Sequence, residues 1–361
     1  MVFDWQHIFK GLNERILHLL QTDKLADCHF LVGDSPPDQK TIASHKLILA
    51  LASPVFERMF YGQVADKSEL IVITDIQPAI FQSMLEHIYT DGVNISSIDM
   101  AFQLYYAAKK YMLSQLLEEC TRFMISNLSP KNVCMAYEFA EFYDESSLKQ
   151  KCLQLILSRT REVLAEPSFM DIKMSTLIFI FGQYSLNIDS ELDLFNALSR
   201  LAKHKGLLRD THMQTANERN NHNSAVPTNG GLVADKEVLL NALPSPNLEG
   251  DFNIKCSMDT KQFINDEDLL KEAVKQIRFL SMTPKEFFQG PARSKLLEKH
   301  EIVDISINMF SEINDDYPMP MGFCRERRNV FITQLRNFNL SSDDLSTRVY
   351  TGGQNSPPFP L

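Results

Sequence analysis

The stretch that most constrains this chain is residues 40–62, KTIASHKLILALASPVFERMFYG. A short β-type run leads through His45-Lys46 into the apolar helical run LILALA, then through Ser53-Pro54-Val55-Phe56 to Met59-Phe60. A strand that turns directly into helices demands a mixed fold, because the two periodicities bury different faces. Two more β-type runs, at residues 28–32 and 70–73, are bounded by Gly33-Asp34-Ser35-Pro36-Pro37 and by Asp75. Phe81, Leu85 and Ile88 mark a helix starting at Pro78, where the missing N–H is not needed, and Thr90-Asp91-Gly92 ends it.

On either side of this block the pattern is helical. Trp5, Ile8, Phe9, Leu12, Ile16, Leu19 and Leu20 make one stripe, which predicts a single opening helix over residues 5–20 with a face that needs a partner. From residue 100 onward stripes follow one another: Leu104, Ala108 and Tyr111; Leu113, Leu117, Cys120 and Met124; then, past Ser129-Pro130, Val133, Ala136, Tyr137 and Ala140. Met174, Leu177, Ile178 and Phe181 continue the series, and Leu194, Leu198 and Leu201 follow a cap at Ser190. Short connections between such stripes predict stacked helical hairpins.

The order of motifs in residues 40–62 resembles the BTB (POZ) family, as do Leu25-Ala26-Asp27-Cys28-His29-Phe30 before it and Ile73-Thr74-Asp75-Ile76 and Ile88-Tyr89-Thr90-Asp91-Gly92 after it. Ala107-Ala108-Lys109-Lys110-Tyr111, Asn132-Val133-Cys134, Tyr137-Glu138-Phe139-Ala140, and Leu186-Asn187 with Glu191-Leu192-Asp193-Leu194-Phe195 resemble the BACK domain that follows BTB in many adaptors. The nearest likeness is to the subgroup in which a β-rich PHR domain normally comes next; Leu201 stands where that subgroup's pattern has tryptophan, an apolar exchange that leaves less volume. The resemblance implies an α+β protein: a BTB/POZ domain over residues 1–112, an all-α BACK-like domain over 113–313, and a weakly structured tail over 314–361 that is too short for a PHR domain.

What the resemblance implies for sites follows residue by residue. A BTB dimer would bury the opening stripe, Trp5, Phe9 and Leu12, against a partner, and the family's paired charges under the dimer seam fall on Asp27 and Lys46. A hydrophobic-x-acidic motif by which many BTB adaptors grip a cullin scaffold falls on Val64-Ala65-Asp66, next to Phe60, with Asp in place of Glu. The implied function is a protein-interaction adaptor, the substrate-recognition or assembly subunit of a cullin-type ubiquitin ligase, working as a homodimer or BTB heterodimer with a protein client that the sequence does not spell. The alternatives are a transcriptional or cytoskeletal scaffold, and a regulatory subunit that pairs with a full-length relative.

Other functions find little footing in the residues. No H-E-x-x-H, phosphate loop or G-x-S-x-G turn occurs, so catalytic, cofactor and metal residues are none. The six cysteines contain no C-x-x-C pair and read as reduced packing thiols. His29 and His45 have no partner at metal spacing and read as structural. A net charge of -10 argues against nucleic acid, and the basic run at Arg325–Arg328 reads as a solvated helix face. The longest apolar run, residues 47–52, falls far short of the roughly 20 residues that span a bilayer. A cytoplasmic or nuclear chain is the expectation.

Between about residues 205 and 235 the sequence is polar and irregular and reads as a flexible insertion. Helical spacing resumes with Phe263, Leu270, Val274 and Ile277, a stripe too apolar for a free helix. These helices are expected to dock on the earlier hairpins.

Overall fold

In the computed structural model, residues 4–208, 265–310, 317–326 and 328 are described. They fall into two units that divide within a helix: residues up to 153 form one, and residues from 154 to 208 with those from 265 on form the other. The polar insertion beyond Leu208, Phe263, Cys256 and the end of the chain past Arg328 lie outside the described residues.

The first unit is α+β. Strands β1 (Cys28–Val32), β2 (Lys40–Ser44) and β3 (Ile71–Ile73) form a sheet in the order β2-β1-β3. The first pair is antiparallel with Phe30 opposite Ile42, and the second is parallel with Phe30 opposite Ile71. Cys28, Phe30 and Val32 are buried while His29 faces out, as the alternation of a strand requires. Helices α3 (Lys46–Ala52) and α4 (Pro54–Tyr61) follow β2, and their junction is built by Ser53. Its hydroxyl accepts from the Phe56 N–H at 3.2 Å and donates to the Tyr111 carbonyl at 2.6 Å, while Pro54 takes the first helical turn.

Aromatic rings fill the space under the sheet. Phe56 stacks on Tyr111 with centroids 4.3 Å apart, and Phe30 meets Phe56, Phe60 and Phe81 at 6.0, 6.4 and 5.1 Å. Helix α5 (Pro78–Thr90) begins at Pro78 and ends at Asp91, whose φ of 55° makes the left-handed stop. It packs against α6 (Ile98–Lys110), which in turn pairs with α7 (Ser114–Ser126). Beyond them lie α8 (Val133–Tyr143) and α9 (Ser146–Ser158), with Phe139 of α8 between Phe102 and Tyr105 of α6.

The opening stripe differs from its expected form. It is two helices, α1 (Trp5–Ile8) and α2 (Leu12–Thr22), because the backbone is extended at Phe9 and Gly11. Gly11 is a poor helix former, and the break brings Trp5 and Phe9 around His18, with ring centroids at 5.1 and 4.8 Å.

The second unit is helical. Its elements are α10 (Thr160–Ala165), α11 (Met174–Phe181), α12 (Glu191–His204), α13 (Asp266–Lys275), α14 (Pro284–Gln289) and α15 (Lys299–Phe310). Ser190 caps α12 in a reciprocal box with Asp193, and Thr283 does the same for α14 with Glu286. Helix α13 packs against α11 and α12, so helices from both sides of the insertion share one core. Leu270, Val274 and Ile277 are buried in it, as are Leu194, Leu198 and Leu201. Leu201 is wholly inaccessible, so leucine in place of the expected tryptophan leaves the position closed.

Candidate interaction surfaces

The residues with an expected role in dimerisation are brought together only in part within the chain. Trp5 and Phe9 are half-buried on His18, whereas Leu12 and Ile8 are 67% and 61% exposed. Leu47 and Leu51, one turn apart on α3, are also exposed. This is a set of large apolar side chains at the surface of one unit, and scattered single exposures would need no explanation while several on short helices call for a partner.

Asp27 and Lys46 meet through the backbone. The Asp27 carboxylate is exposed and accepts from the Lys46 N–H at 2.7 Å, which ties the entry of β1 to the first turn of α3. A carboxylate at a helix N-terminus satisfies a free donor and complements the helix dipole. The Lys46 ammonium lies 5.7 Å from the centre of the Phe60 ring, so the side chain leans toward α4.

His45, beside Lys46, is a structural pin. Its backbone N–H donates to the Tyr89 hydroxyl at 3.0 Å, its Nδ1 lies 2.9 Å from the same oxygen, and its Nε2 lies 2.7 Å from the Lys24 carbonyl. With the hydroxyl donating to Nδ1, Nε2 carries the proton and donates to Lys24. Burial holds the Tyr89 hydroxyl well above the usual phenol range, so it stays a donor.

The loop after α4 carries Val64 and Asp66. Val64 is 95% exposed, and Asp66 is fixed at both ends: its N–H donates to the Met59 carbonyl at 2.8 Å, and its carboxylate accepts from the Ser68 N–H at 2.8 Å. The Ser68 hydrogen bonds hold the Asp66 carboxyl below the usual range. Phe60, by contrast, is buried under the sheet and is a support for the loop. The loop therefore presents one apolar and one anionic group on a fixed backbone.

Two polar clusters were not singled out in the sequence. Asp75 takes both oxygens to the Lys110 ammonium at 2.7 Å and accepts from the Tyr106 hydroxyl at 2.6 Å. Burial works to raise its carboxyl, and these bonds outweigh it to leave a net lowering. The other cluster surrounds Glu191 and Arg328 in the helical unit. The basic run at its end is no helix face: Arg325 is exposed, whereas the Arg328 side chain is 6% exposed and buried beside Glu191. Only residues distant in sequence create that pocket, so no local pattern announces it. Burial pushes the Cys28, Cys120, Cys134 and Cys152 thiols up to about 12, which disfavours the thiolate form.

Among the described residues no group of three or more His, Cys, Asp or Glu side chains could hold a metal, and no helix is long and apolar enough to cross a membrane.

Comparison with known families gives this build, a β2-β1-β3 sheet followed by helical hairpins, a class. The BTB/POZ domain model matches residues 16–128 and the BACK (BTB And C-terminal Kelch) model matches residues 133–216. The chain carries a BTB/POZ domain followed by a BACK domain; BTB-BACK proteins are adaptors and interaction scaffolds, and BTB domains mediate association and dimerisation. It is 33% identical over 216 residues to human BTB/POZ domain-containing protein 3, covering 60% of this chain and 41% of that protein. It is 30% identical over 217 residues to BTB/POZ domain-containing protein 6 of Xenopus laevis, covering 60% of this chain and 40% of that protein. The chain thus aligns with about two-fifths of the length of these relatives.

Proposed function

We propose that this chain is the substrate-recognition or assembly subunit of a cullin-RING ubiquitin ligase, dimeric through its BTB domain. The observation that carries the reading is the loop after α4, where Val64 stands almost wholly exposed two positions before Asp66, whose carboxylate is held by the Ser68 N–H and whose backbone N–H is held by the Met59 carbonyl. An exposed apolar side chain on a fixed loop binds with little ordering cost, and the neighbouring carboxylate adds direction and steering. Asp66 is one methylene shorter than the family's glutamate, so a partner must approach more closely. Ubiquitin transfer belongs to recruited enzymes, and the chain's part is to raise the local concentration of a client, doubly so as a dimer. Trp5, Phe9, Leu12, Asp27 and Lys46 lie in the dimer seam, and the exposure of Leu12, Ile8, Leu47 and Leu51 in the single chain supports that assignment.

Calorimetry with a cullin N-terminal domain tests the reading. The wild type should bind, and Val64→Ala with Asp66→Ala should weaken it by about 1–3 kcal/mol per anchor. Absence of wild-type binding would reject the ligase role in favour of a scaffold or a regulatory subunit that pairs with a relative. Light scattering of the full chain should give twice the monomer mass.

A further inference from the structure

Glu191 opens α12 and is 3% exposed, which is unusual for a carboxylate unless it is paired. One of its oxygens accepts from the Arg278 N–H at 3.0 Å. The other accepts from Arg328 Nε at 2.5 Å, and Arg328 Nη2 lies 3.4 Å from the first. The remaining guanidinium donors go to main-chain carbonyls: Nη2 to Phe181 at 2.5 Å and to Gln276 at 3.1 Å, and Nη1 to Gln183. Phe181 is the last residue of α11 and Gln276 caps α13, so two helix C-termini and a carboxylate converge on one planar cation. The acceptors come from α11 and the turn after it, from α12 and from the end of α13, and they meet all three nitrogens of the fork, with Nη2 shared among three of them. An ammonium, with three donors on one atom, cannot span such a set.

The segment that delivers Arg328 has both exposed and buried attachments. Tyr317 donates to Asp304 at 3.1 Å and Arg325 to Asn308 at 3.3 Å, both in exposed positions where such bonds contribute little. Pro320 and Phe323 are buried, Phe323 with its ring 5.9 Å from that of Phe279. The buried attachments among the described residues of this segment are Pro320, Phe323 and, five residues after that ring, the Arg328 guanidinium. Among the described residues a second cation lies by the pocket, Arg278, with its guanidinium 5.4 Å from the centre of the Tyr184 ring.

We propose that the Glu191 pocket is a guanidinium-recognition site, filled in cis by Arg328, and that its ligand class is a peptide with an aromatic residue five positions before an arginine. The tail is then a tethered ligand, and a partner's arginine enters by displacing it. This is independent of the cullin reading, since the pocket lies wholly within the helical unit and neither Val64 nor Asp66 belongs to it.

Chemical rescue tests the site. Arg328→Ala in the full chain should lower Tm by roughly 5 °C or more, because it strands a buried carboxylate. Millimolar methylguanidinium should restore part of that loss, with little effect on the wild type and less from methylammonium. A labelled peptide of residues 317–328 should bind Arg328→Ala at least about tenfold more tightly than wild type, whose pocket is filled. If Arg328→Ala does not accumulate folded, its refolding yield with and without methylguanidinium gives the same readout. Glu191→Gln with Arg328→Gln should respond to neither ion. Equal responses of variant and wild type to methylguanidinium, equal effects of the two ions, or equal peptide affinities for variant and wild type would overturn the proposal.

Discussion

The two units share an apolar interior but differ in the polar groups they bury. Under the sheet the core is apolar and aromatic, with Phe30, Phe56, Phe81 and Tyr111 in mutual contact, and its buried polar residues include Ser44, His45, Ser53 and His87. In the helical unit an apolar core is joined to a buried ion pair whose guanidinium satisfies helix-end carbonyls. An apolar core is non-directional and tolerates small rearrangements, while a buried charge demands its partner and all its acceptors at once. The first design gives a unit whose free surface can be spent on partners; the second makes one tail residue a condition of the fold around it.

Mutations can break or sharpen that contrast. The largest effect is expected from Phe56→Ala, which removes the ring stacked on Tyr111 and opens a cavity in the aromatic core; denaturant unfolding should show a loss of about 3–5 kcal/mol. Next, Glu191→Ala should cost about 3 kcal/mol by leaving Arg328 buried without its counter-charge, and Glu191→Leu with Arg328→Met should recover most of it. Recovery would mark the pair as a device of specificity; a double variant as weak as the single one would mean that the carbonyl acceptors, now unpaired, dominate.

Alkaline titration is expected to have a smaller effect. Cys120 and Cys152 are raised from an ordinary 9.0 to about 12 by burial, so the folded state holds those protons more tightly than the unfolded chain. Their contribution is intact below pH 9.0 and is lost as pH rises toward about 12. Urea midpoints at about pH 8 and about pH 10.5 should therefore differ, and Cys120→Ala with Cys152→Ala should narrow the difference. The smallest change in stability is expected from Val64→Ala with Asp66→Ala, within about 0.5 kcal/mol by the same assay, because both side chains are exposed. A larger loss would turn the loop from a surface for partners into part of the fold.

Much of the frame was legible before any coordinates. Pro78 and Asp91 bound α5 where the proline and the Thr-Asp-Gly turn put its ends, and Ser190 caps α12 through its own hydroxyl. These are local rules, in which a residue's effect is felt within a turn of itself. The opening stripe misled because helical spacing is blind to Gly11, which lets the chain fold back on His18. The candidate surface was half legible: the motif placed Val64, Asp66 and Phe60 together, but only the fold separates the exposed Val64 from the buried Phe60.

What the sequence determined by itself is periodic or local: most of the runs that are strands or helices, the ends marked by a proline or a cap, and the family order of BTB then BACK. What the tertiary structure alone decided is which charges are taken out of water. Arg325 and Arg328 are the same residue type in one basic run, yet one is exposed and the other is buried against Glu191, 137 positions away. Burial is a property of what lies opposite, and hydrogen-bond acceptors gathered from α11, α12 and α13 leave no periodic trace in the chain that the guanidinium must find.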